Sequence, residues 1–199
     1  MTKGPGMAEI CDKLEDSGFR LSEAHAVEIF ARQGDWHTLD YYHRISSLEA
    51  WEIDAFHLPD LRRNLSSAVV RNVNSIEFIK FPENRNSADL LVIDNPQSTF
   101  GENNEYCEHF DVLDYAVMML RPGGALIFNV NIEPFDYDKH PGWRRRREDF
   151  YGSVGTAKMS IKDLADFYQR RLELSGRSVT NRFHVSRTDY LYYFVYVLS

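Results

Sequence analysis

The sequence predicts an α/β fold built on a mostly parallel sheet, and three observations predict it. Short apolar, β-branched runs alternate along the chain with segments of helical periodicity. One run, Leu90-Leu91-Val92-Ile93, is continuously apolar, as suits a strand covered on both faces. The last two runs, Val179–Val185 and Tyr190–Leu198, are separated only by Ser186–Asp189, a hairpin connection. Strands alternating with helices give parallel pairs with right-handed crossovers, and the final pair closes the sheet with an antiparallel strand.

In chain order, Ile10, Leu14 and Phe19 predict an amphipathic opening helix broken near Gly18. Ala26–Phe30 is the first strand-like run, followed by a Gly-containing turn and a helix from about Trp36 to Arg44. Leu48–Ile53 is the second run, and Pro59–Leu65 a short helix with proline near its start, where a missing N–H costs nothing. Ala68–Val73 and Leu90–Ile93 are the third and fourth runs. A helix is expected from about Tyr106 to Leu120, stopped by Arg121-Pro122-Gly123-Gly124. Ala125–Val130 is the fifth run. An irregular, aromatic and charged stretch follows, and Ser160–Gly176 then reads as a helix with Ser160 as N-cap and Asp163 completing a capping-box-like pair.

The 199 residues suit one domain, with a tail and helix over residues 1–20 and the sheet domain over 21–199. The first residues, MTKGPG, read as a loose tail. Cys11 and Cys107 give neither a disulfide framework nor a metal-ligand spacing, so no metal is expected. No apolar run reaches the ~18 residues of a membrane span and no signal peptide is evident, which points to a cytoplasmic protein. A net charge of −7 weighs against an extended nucleic-acid groove. Arg144–Arg147 is the local exception, read as a solvated helix start or as a patch for an anionic substrate or partner.

In open α/β sheets ligands bind beyond the carboxyl ends of the strands, at the switch in strand order. Four strand exits carry polar residues. After the first run, Glu28-Ile29-Phe30-Ala31-Arg32-Gln33-Gly34-Asp35 offers a glycine turn and the start of a helix. After the second, Glu52 in Trp51-Glu52-Ile53-Asp54 lies ~20 residues beyond that loop, where a carboxylate can take both hydroxyls of a ribose. Asn74-Ser75 follow the third and are short enough to reach a base edge. Asp94-Asn95-Pro96-Gln97 follow the fourth, the only polar groups beside a wholly apolar strand.

Several of these pieces together resemble the class I S-adenosylmethionine-dependent methyltransferases, over nearly the whole chain from about Val27 to Leu198. Leu120-Arg121-Pro122-Gly123-Gly124-Ala125-Leu126-Ile127-Phe128 resembles that family's entry to its fifth strand, Leu90–Pro96 its fourth strand and Trp51–Asp54 its ribose-binding acid. Val-Glu-Ile-Phe, Gly-Asp-Trp, Trp-Glu-Ile-Asp and Leu-Arg-Arg-Asn-Leu are similar to small bacterial members of undefined substrate, with a loose tie to cell-surface polysaccharide pathways. The resemblance implies a Rossmann-like, mostly parallel seven-stranded sheet with an antiparallel C-terminal strand and helices on both faces.

It also implies S-adenosylmethionine as cofactor. The loop residues Glu28, Phe30, Ala31, Arg32, Gly34, Asp35 and Trp36 would hold it together with Glu52, Ile53, Asn74, Ser75 and Asp94. Asp94, Asn95 and His140 are the candidates for handling the acceptor's proton. His140 lies on the loop after the fifth strand, and the aromatic segment from Phe135 through Trp143 to Phe150-Tyr151 either walls the substrate or packs a satellite core. The expected partner is a small-molecule acceptor methylated on oxygen or nitrogen, a sugar or polysaccharide precursor included; a homodimer is an open arrangement.

One departure matters. The family's loop reads E/D-x-G-x-G-x-G, or F-A-G-x-G in amino-methylating members, whereas Phe30-Ala31-Arg32-Gln33-Gly34 keeps only the final glycine. Arg32 stands where the backbone passes the cofactor's methionine end, and would either clash with it or pair with its carboxylate. The alternative function is therefore a degenerate binding or scaffold protein. A nucleotide-dependent oxidoreductase is disfavoured by the absent dinucleotide fingerprint.

Overall fold

A computed structural model of the chain describes residues 6–134, 137–152 and 159–199. Residues 1–5 of the expected tail, and Phe135 and Asp136 of the aromatic stretch, lie outside the described residues. Among the described residues nine strands form: β1 (His25–Ile29), β2 (Ser47–Glu52), β3 (Val69–Asn72), β4 (Ala88–Ile93), β5 (Thr99–Phe100), β6 (Tyr106–Cys107), β7 (Leu120–Asn131), β8 (Val179–Ser186) and β9 (Leu191–Leu198). Seven of them make one sheet in the order β3-β2-β1-β4-β7-β9-β8. Pairs from β3 through β7 are parallel, and β9 runs antiparallel to both β7 and β8. β5 and β6 form a separate antiparallel ladder. The order reverses between β1 and β4, which fixes the switch point at their carboxyl ends.

Successive strand residues point to opposite faces, and the core divides accordingly. On one face Val27, Ile29, Leu91, Ile93, Leu126, Phe128 and Phe194 meet α4 (Ser75–Phe78), α5 (Leu113–Met119), α6 (Pro141–Tyr151) and α7 (Ile161–Glu173). On the other, Ala26, Leu90, Val92, Ala125, Ile127 and Val195 meet α1 (Met7–Asp16), α2 (Thr38–Tyr41) and α3 (Leu58–Asn64). The central strands thus carry apolar side chains on both faces, the physical origin of the unbroken Leu90–Ile93 run. Fully burying each such side chain contributes about 1.5–3 kcal/mol. No described helix is long and apolar enough to cross a membrane.

Four expectations require correction. The helix expected over Trp36–Arg44 is only α2, because Arg44 N–H bonds the Tyr41 carbonyl three residues back and the Arg44 side chain leaves to pair with Asp12 and Glu15. The helix expected from Tyr106 starts at Leu113: Tyr106 and Cys107 pair with β5, Glu108 adopts φ 47°, and Asp111 accepts the Cys107 N–H at 3.0 Å. Arg121–Gly124 do not stop a helix outside the sheet but form the first part of β7, with a register shift opposite Ala88 and Leu90. The irregular stretch contains α6, opened by Pro141; the helix start read at Arg144–Arg147 lies within it, but Arg147 is buried rather than solvated.

Candidate functional site

β1 delivers Glu28 and Ile29 to the switch point, and the loop that follows has an unusual backbone. Phe30, Arg32 and Gly34 adopt φ of 63°, 47° and 58°, the left-handed region, at every second residue. Only Gly34 does so freely, and a Cβ there would stand 2.7 Å from Leu61 and Leu65 of the α3 region. Phe30 and Arg32 each bear a cost of about 1–2 kcal/mol for this conformation. Hydrogen bonds offset it: Ala31 N–H donates to the Trp51 carbonyl (3.0 Å), and Arg32 N–H donates to Glu52 Oε2 (2.7 Å). A carboxylate acceptor makes the second of these a strong bond.

The loop borders a crevice of about 540 Å³, walled by residues 30–38, by Asp94–Gln97 after β4, and by Glu28, Asn129 and Arg187. Its floor is a buried polar cluster. The Glu28 carboxylate, 1% exposed, accepts hydrogen bonds from Thr38 Oγ1 (2.8 Å) and the Tyr41 hydroxyl. His37 Nε2 lies 3.4 Å from Glu28 Oε1, while its Nδ1 lies 3.1 Å from the Tyr193 hydroxyl and 3.7 Å from Asp94 Oδ2. Burial opposes a charge on His37, but Asp94 and Glu28 favour it and prevail, so its pKa lies above the ordinary value.

Asp94 is tightly held. Its Oδ1 accepts Asn129 Nδ2–H at 2.8 Å and Arg187 Nη1–H at 2.9 Å. The Arg187 guanidinium lies 3.8 Å from the Trp36 ring centroid and 5.4 Å from that of Tyr193, a cation between two rings. The amide nitrogens of Asn95 and Gln97 donate to the Pro96 and Asn95 carbonyls. Asn95 Oδ1, Gln97 Oε1 and Asn129 Oδ1 are thereby left without a donor among the described residues.

The structure brings Glu28, Phe30, Ala31, Arg32, Gly34, Asp35, Trp36, Asp94 and Asn95 together around one crevice. It does not bring the other candidates there. Glu52 is 5% exposed, and its two oxygens are engaged by the Arg32 and Asp54 N–H groups. Ile53 faces outward. Asn74 caps α4 by accepting Ile76 N–H at 3.0 Å, and Ser75 is buried in that helix start. His140 is exposed just before α6, where Pro141 opens the helix, and it is not part of the crevice wall.

His37, Thr38, Asn129, Arg187 and Tyr193 are site residues that the sequence reading missed. Asn129 carried a signal, a polar residue at the exit of an apolar strand run. Arg187 carried none: it sits in a hairpin turn and reaches Asp94 across 93 positions of sequence.

Neither a protein-family model nor a curated protein matches the chain. Solved structures do. A protein from Galdieria sulphuraria, provisionally assigned as a sarcosine dimethylglycine methyltransferase, superposes with a TM-score of 0.59 at 11% identity, over 96% of this chain and 84% of that one. The 1,6-didemethyltoxoflavin-N1-methyltransferase of Burkholderia thailandensis, solved with 1,6-didemethyltoxoflavin and S-adenosylhomocysteine, gives 0.57 at 12% identity, over 98% and 78%. An O-methyltransferase family protein from the same organism gives 0.55 at 12% identity, over 97% of this chain and 57% of that one. The chain therefore has the Rossmann-like fold of the class I methyltransferases. At these identities the likeness defines the fold alone.

Proposed function

We propose that this chain is a methyltransferase that uses S-adenosylmethionine to methylate an oxygen or nitrogen of a small molecule. The observation that carries the reading is the loop after β1. Its backbone is left-handed at residues 30, 32 and 34, the positions where the family pattern it resembles carries glycine, beside the switch-point crevice and against Glu52 at the exit of β2.

The residues fit the cofactor's amino-acid end. The Arg32 guanidinium is exposed beside the crevice and makes no ion pair among the described residues, which suits a carboxylate. The donor-free oxygens of Asn95, Gln97 and Asn129 suit an ammonium. Glu52, Ile53, Asn74 and Ser75 would serve the nucleoside end. When bound, the cofactor supplies an electrophilic methyl group on a sulfonium. Asp94, oriented by Arg187 and Asn129, would take a proton from the acceptor, and Asn95 would align it. The 1,6-didemethyltoxoflavin held by the Burkholderia enzyme and the net charge of −7 both support a small acceptor over nucleic acid.

Phe30 and Arg32 at two glycine positions favour a second reading, a binding or scaffold protein on the same fold. Calorimetric titration of S-adenosylhomocysteine into the wild type and Arg32→Gly separates the two. Micromolar binding by the wild type supports the enzyme. Silence from the wild type with binding regained in the variant assigns the scaffold role.

A further inference from the structure

Phe30 holds the first of the three left-handed positions, and its side chain has a definite place. It borders the crevice and also meets Phe100 of β5 edge to face, with centroids 5.6 Å apart and planes at 80°. Phe100 in turn lies 5.6 Å from the ring of Tyr106 on β6, its partner in the β5–β6 ladder. These three side chains, with Val73 and Phe78, pack half-buried on the core cluster that faces α4 and α5. Phe30 is thus a wall with open space on one side and two further aromatic rings on the other. The residues suited to a nucleoside, Glu52, Ile53, Asn74 and Ser75, all lie off the crevice, and both Glu52 oxygens are occupied by backbone N–H groups.

We propose that Phe30 and Phe100 form an aromatic latch that controls entry of a nucleoside into its half of the site. The nucleoside gains its place only when the two rings part, so the pair determines how strongly the chain selects ligands carrying a base. This rests on the cofactor reading above, and it explains why a side chain is carried at a backbone position that favours glycine.

The test is calorimetric titration of adenosine, L-methionine and S-adenosylhomocysteine into the full chain, Phe30→Gly and Phe100→Ala. Removing either ring is expected to tighten adenosine and S-adenosylhomocysteine binding roughly tenfold, the weight of an edge-to-face pair with its buried area. Methionine affinity should stay the same. If S-adenosylhomocysteine binds wild type and variants equally, the latch is refuted while the cofactor reading stands. If none of the three proteins binds it, both are refuted. Glycine is at ease at the φ of residue 30, and should Phe30→Gly nonetheless lose its circular-dichroism signature, Phe100→Ala on the short ladder decides alone.

Discussion

Arg187 and Asp94, 93 residues apart in sequence, meet at 2.9 Å across the crevice, and Trp36 covers the guanidinium from the loop side. The Arg187 side chain is 8% exposed and that of Asp94 21%, so the pair is shielded enough to matter. Through it the β8–β9 turn fixes a residue at the exit of β4.

Replacing Arg187 with Met leaves the Asp94 carboxylate short of a donor. A loss of about 1–3 kcal/mol in urea unfolding is expected. Arg187→Lys, which restores charge without the planar fork, should recover only part of it. Equal stability of Arg187→Met and wild type would show that the pair carries no weight.

Two buried histidines should give opposite pH dependences. His37 has a raised pKa in the fold, so its contribution is complete below about pH 6.5 and fades as pH rises through the folded value. His109 is held well below its usual range by burial and by the Arg147 and Arg171 charges, so its contribution is present above about pH 6.5 and is lost as pH falls. Urea midpoints across this range should flatten on the alkaline side in His37→Gln and on the acid side in His109→Phe. Unchanged pH profiles in both would contradict this assignment.

Arg147 and Glu108 form a sealed ion pair at 2.7 Å, both side chains 0% exposed, with Trp143 Nε1 donating to the same carboxylate oxygen at 2.8 Å. Truncating one partner strands a buried charge. Arg147→Met is therefore expected to cost about 3–5 kcal/mol, and the double replacement with Glu108→Gln distinctly less than the sum. Thermal melting of the four proteins in the cycle gives the coupling; simple additivity would argue against a direct pair.

Ser160 caps α7 by accepting Asp163 N–H at 3.1 Å, and its hydroxyl donates to the Asp163 carboxylate at 2.7 Å. Ser160→Ala should lower stability by about 1 kcal/mol, and Ser160→Asn by much less. A neutral alanine variant would indicate that the cap is redundant.

What could be read in advance follows from the range of the forces involved. Leu90–Ile93 and Ala125–Val130 announced themselves because a strand between two helical layers must be apolar at every position. Ser160 and Asp163 were legible because a cap is satisfied within three residues. The Arg144–Arg147 run was legible as a helix start, but not the inward turn of its last member: Arg147 is buried because it meets Glu108, 39 residues earlier. The loop was legible in place but not in form, since the left-handed backbone at Phe30 and Arg32 depends on Glu52 from the neighbouring strand. His37 and Arg187 were invisible for the same reason: their roles depend on partners that only the sheet order brings near.

That sheet order also sets a schedule for assembly. β9 lies between β7 and β8, so the outermost strand is made before the one that connects it to the rest. During synthesis β8 emerges before β9, the strand it pairs with, and its native ladder forms only once residues 191–198 follow. Arg187 and Tyr193 belong to this late-docking hairpin, so the crevice gains its far wall only in that final step. A nascent chain could hold most of its core and still have no finished pocket, which defers ligand capture until the fold is closed.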